Sequence, residues 1–138
     1  MSPIILHIHS ILRWVLLFLM IYVFLKPRLA NNNKVDLTLY TFIIFTVQLV
    51  LGIILYFTSP VVSFESGFMK DSILRFFTVE HALGMIIAYH LIMIVYFKAR
   101  KSNSEKMAKK IRIYYGLALL ITLLSIPWPF RGFGNGWF

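Results

Sequence analysis

The stretch that decides the fold is IILHIHSILRWVLLFLMIYVFL, residues 4–25, a run of 22 residues carrying two histidines and one arginine in otherwise apolar sequence. A helix rises about 1.5 Å per residue, so about 20 apolar residues cross a hydrocarbon core of about 30 Å. Residues 4–25 therefore read as a membrane span. Three further runs extend the reading: Leu37–Thr58, Phe76–Phe97 and Ile113–Phe130. Of the 138 residues 59% are apolar and only 14% charged, and the mean hydropathy is +0.80. A soluble domain carries nearer a quarter charged residues. The expectation is a single all-α domain over residues 1–138, an integral membrane four-helix bundle of up-down topology.

The net charge of +9 is unevenly distributed. Lys26, Arg28 and Lys34 lie between the first two runs, and Lys98, Arg100, Lys101, Lys106, Lys109, Lys110 and Arg112 between the last two. The opposite side has Lys70, Arg75 and Arg131. Positive charge collects on the cytoplasmic side of a membrane protein, so both basic loops are expected in the cytoplasm and both termini outside. The basic loops can attract anionic lipid headgroups. No recognition motif accompanies the charge, and no nucleic-acid partner is expected. A cleaved signal would put its basic residues before the apolar run, whereas Lys26 and Arg28 follow it, so the first run is expected to be retained. With no cysteine there is neither a disulfide nor a thiolate ligand.

Polar groups inside a membrane span are costly and mark function. His9 and His81 each lie five residues into their runs, which places them at equal depth near the outer end of the first and third helices. In an up-down bundle these helices run parallel and stand diagonally across the core. Two facing imidazoles at one depth are what the axial pair of a haem requires. Arg13 follows one turn below His9 on nearly the same face, where its guanidinium can pair with a haem propionate or with Glu80. Arg75 and Arg131 supply further cations near the same surface. Gly84 and Ala88 follow His81 at helical spacing, leaving either a gap for a macrocycle or an ordinary small-residue helix contact. His7 points about 200° away from His9 and can exchange roles with it if the helix is rotated. His90 is half a turn out of phase with His81 and reads as structural. The histidine count limits the chain to one bis-histidine haem.

The segments LHIHSILRW, MKDSILRFFTVEH and IPWPFRG resemble a family of small bacterial four-helix membrane proteins labelled cytochrome b or cytochrome b-like. The resemblance runs from Leu6 to the terminal Gly-Trp-Phe. It implies haem b held inside the bundle and electron transfer in a respiratory or quinone-linked chain. The histidines in the matching motifs are His7, His9 and His81, while His90 lies outside them. The second histidine pair of di-haem bundles is missing. Two functions follow as expectations: a mono-haem electron carrier, with a quinone or an outer-side redox partner, or a cofactor-free accessory subunit of a larger membrane complex. Either is a carrier or a subunit more readily than a stand-alone enzyme.

Overall fold

In the computed structural model, residues 2–31 and 36–133 are described, and among them the chain is all-helical. Four long helices carry it: α1 (Pro3–Leu25), α2 (Leu37–Thr58), α3 (Ser72–Ala99) and α4 (Glu105–Ser125). Short helical turns at Pro27–Ala30, Phe68–Lys70 and Pro129–Arg131 fill the connections.

The helix starts follow local chemistry. Asp36 accepts hydrogen bonds from the Thr38 and Leu39 amides, satisfying donors that a helix N-terminus leaves without partners. Asp71 does the same for Ile73 and Leu74, so α3 begins at Ser72, four residues before its apolar run. Ser104 caps α4 through the Met107 amide. The fourth helix departs most from expectation, occupying 105–125 rather than 113–130. Its first two turns hold Glu105, Lys106, Lys109 and Lys110, because exposed charges are compatible with helix when a cap is in place. Pro127 and Pro129, which lack amide donors, lie just beyond its end at Ser125.

Three helices, α1, α2 and α3, are long and apolar enough to cross a membrane. The distribution of side chains agrees with a membrane protein. Phe18, Phe57, Ile113 and Leu124 are exposed at 60–78%, while Ser10, Thr38, Thr41, Gln48, Thr122 and Ser125 are buried. A soluble protein buries its large apolar groups first. Here bulky apolar side chains also face outward, as lipid-facing surfaces require, while the buried Gln48 side chain ties two helices through the His9 carbonyl.

Helix α1 packs against α2 and α4, and α3 packs against the same two. Helices α1 and α3 thus stand across from each other. Between them lies a core built on Leu16, Met20, Phe45, Ile92 and Tyr115. Gly116 lets the Phe24 ring approach, since a Cβ there would meet its edge at 3.0 Å.

Candidate functional site

One stretch of α3 is not regular. Phe76–His81 forms a π-helical turn, wider than the α-helix on either side. Such turns free backbone groups and recur at functional sites. The Tyr56 hydroxyl donates to the Thr78 carbonyl at 2.9 Å, and the Ser63 amide donates to the Thr78 hydroxyl at 3.0 Å. The wide turn is thereby tied to the end of α2 and the loop after it. At its last position stands His81.

His81 faces His9 on α1, with ring centres 6.4 Å apart and planes inclined by 70°. Its Nδ1 lies 2.7 Å from the Ser125 carbonyl oxygen on α4. A carbonyl only accepts, so Nδ1 carries the proton and Nε2 keeps its lone pair. On the other side of the site, the Gln48 side-chain amide donates to the His9 carbonyl at 2.8 Å, tying α2 to α1. His9 Nδ1, Gln48 Oε1 and Thr122 Oγ1 are buried without a hydrogen-bond partner. Buried polar atoms of this kind are costly to leave unsatisfied, so these three give the cavity beside them a polar face that water or a ligand can satisfy.

That cavity has a volume of about 340 Å³ and draws on all four helices. His9, Arg13, Gln48, Gly52, His81 and Thr122 supply its chemistry; Leu16, Leu55 and Met85 are among its apolar walls. Residues 59–62 and Pro127 border it at one end. Gly52 keeps space beside the imidazole, because a Cβ there would sit 3.4 Å from His9 Cε1. Arg13 lies a turn from His9, its guanidinium carbon 5.5 Å from the Trp14 ring centre.

No family model, curated protein or solved structure matches the chain. What the site can do is therefore argued from its geometry. Of the residues singled out in the sequence, His9, His81 and Arg13 line the cavity and the others do not. His7 is exposed on the outer side of α1. Arg75 donates to Glu80 at 2.8 Å, so the acid expected as a counter-charge for Arg13 is held by Arg75 on its own helix. Arg131 donates to the Leu124 carbonyl at 2.7 Å and lies over the Phe76 and Phe133 rings, at 4.7 and 4.9 Å. Gly84 faces α4, where a Cβ would collide with the Ser125 side chain. His90 is exposed, with Nδ1 2.8 Å from the Ile86 carbonyl one turn back. Gln48 and Gly52 were missed as site residues. Their signal was Gln48, a polar side chain in mid-span, with Gly52 one turn on.

Among the described residues no group of three or more histidines or acids could hold a bare metal ion. Two imidazoles can still hold an iron whose other four positions are filled by a macrocycle. With metal–nitrogen bonds of about 2 Å, imidazoles on opposite sides of one iron have ring centres about 6 Å apart. The His9 and His81 ring centres, 6.4 Å apart, lie near that spacing.

Proposed function

We propose that the protein is a mono-haem b-type cytochrome of a bacterial inner membrane, an electron carrier in a respiratory or quinone-linked chain. The observation that carries this reading is the pair His9 and His81, 6.4 Å apart between ring centres and lining one cavity. Haem b, when bound, supplies a one-electron couple at its iron.

The chain's own residues do the rest. His81 keeps its proton on Nδ1 toward Ser125, which fixes the ring and presents Nε2, as second partners do for metal-bound imidazoles. His9 would be the second histidine to hold the group, on a helix tied in place by Gln48. Arg13, lining the same cavity, is suited to a propionate carboxylate. Leu16, Leu55 and Met85 supply apolar wall against which the macrocycle could pack. Held by both His9 and His81, the group would supply electron transfer rather than substrate chemistry at the metal.

The bundle reading completes the proposal. Helix α4 has only 13 residues from Ile113 to its end, about 20 Å, so residues 126–130, including the start of the short turn Pro129–Arg131, would complete the crossing. His9, His81 and Ser125 share one end, while Lys26, Arg28, Lys109 and Arg112 share the other. This alternation supports an up-down four-helix bundle with both termini outside. The competing reading, a cofactor-free accessory subunit, draws on Gly84, whose contact with Ser125 uses the small-residue stripe for helix packing.

The test is substitution of each histidine in turn, with haem supplied during expression. Haem retained per protein should be lost in His9→Ala and His81→Ala and kept in His90→Ala. Retention in both of the first two would remove the pair from any haem site.

A further inference from the structure

At the other end of the molecule the short turn Pro27–Ala30 folds back on α4. It encloses a pocket of about 230 Å³ with four cations on its walls: Lys26, Arg28, Lys109 and Arg112. Glu105 is its one acid. We propose that this pocket binds the phosphate of an anionic phospholipid. The proposal stands apart from the haem reading and shares no residue with that site.

Three observations carry it. First, charge does not balance within the pocket. Glu105 takes Arg28 at 2.9 Å, which leaves Lys26, Lys109 and Arg112 gathered around one space. Like charges so placed repel, and an anion between them relieves the repulsion. Secondly, the two guanidinium groups are steered. Arg28 is turned by Glu105, and Arg112 Nε donates to the Phe24 carbonyl at 3.3 Å. Each retains N–H donors beyond the bond it makes, in the planar fork that suits phosphate oxygens.

Thirdly, the pocket sits where the apolar surface begins. The long apolar run of α1 ends at Leu25 and that of α4 begins at Ile113, and both side chains are exposed. Leu29 is exposed beside them, and Pro27 and Ala108 form a buried floor. A phosphate held here would have acyl chains lying along Leu25, Leu29 and Ile113. Free phosphate could use the cations but not the apolar flank. A basic pocket between helices at a membrane surface is suited to acidic lipid headgroups.

The experiment uses the full chain in mixed micelles containing phosphatidylglycerol or phosphatidylcholine, with retained lipid read by native mass spectrometry. Phosphatidylglycerol should be retained over phosphatidylcholine. Each cation near such a surface is worth about fivefold in affinity. Lys26→Gln with Lys109→Gln should therefore lower retention about 25-fold, while Lys70→Gln, outside the pocket, leaves it unchanged. Glu105→Gln should raise retention, a gain that misfolding would not produce. Equal retention of the two lipids, or no loss in the double variant, would overturn the site. Displacement of the lipid by millimolar inorganic phosphate would overturn the assignment to a lipid.

Discussion

Gly84→Ala is the substitution whose effect the packing fixes most closely. A Cβ at Gly84 would collide with Ser125 Oγ and stand 3.0 Å from Ser125 Cβ. The hydroxyl can swing away, but the Cβ moves only if α4 moves. Forcing an extra carbon into such a contact costs about 1–3 kcal/mol. Alanine regains about 1 kcal/mol of helix propensity over glycine, so the net loss should be about 1 kcal/mol. The contact is separated from the propensity by a double-mutant cycle with Ser125→Gly, in which the coupling energy should approach the full 1–3 kcal/mol. Gly116→Ala is the control. Its Cβ would meet only the edge of the Phe24 ring, at 3.0 Å, and a ring can turn aside. It should be neutral or stabilising. Reversible unfolding in micelles doped with a denaturing detergent, followed by helicity, gives all four values. A Gly84→Ala protein as stable as Gly116→Ala, with coupling under about 0.5 kcal/mol, would refute the packing argument. Because the Ser125 carbonyl also holds His81, the same displacement should loosen that imidazole.

Three other outcomes are expected. Gly52→Val should lower haem retention without unfolding the chain, whereas Gly52→Ala, at the 3.4 Å limit beside His9 Cε1, should be tolerated; equal haem content in both would show that the ring does not need the space. Glu80→Gln should change stability by less than about 1 kcal/mol, since its pair with Arg75 is more than 40% exposed on both sides; a larger loss in a thermal unfolding assay would contradict a surface role. Single cysteines at Gly67 and Ser104, probed in intact cells with an impermeant thiol reagent, should label at 67 and not at 104; the reverse would invert the orientation.

Much of the fold was legible because apolar run length is itself the signal. The run Leu37–Thr58 coincides with α2, and 4–25 differs from α1 by one residue. Helix α4 was not legible in the same way. Hydropathy marks the apolar stretch, while Ser104 and the exposed lysines set the true start and the prolines the true end. The site divides along similar lines. Depth follows from residue counting, and His9, Arg13 and His81 do meet at one cavity. Azimuth does not follow, because the π turn at Phe76–His81 shifts the phase that α-helical counting assumes. Arg75 lies just before that turn and Arg131 beyond α4, so depth alone could not say that both point elsewhere. Gln48 and Thr122 were hidden for another reason: a lone polar residue in a span reads equally as a helix tie or as cavity lining.

The central claim is that His9 and His81 hold one haem between them, and the reduced-minus-oxidised visible spectrum of the purified native protein tests it most directly. Protein expressed with haem supplied should show a Soret band and sharp α and β bands of a six-coordinate low-spin b-type centre. Its reduced spectrum should not change under carbon monoxide, because two imidazoles fill both axial positions. An intact, folded protein with no Soret band would contradict the account.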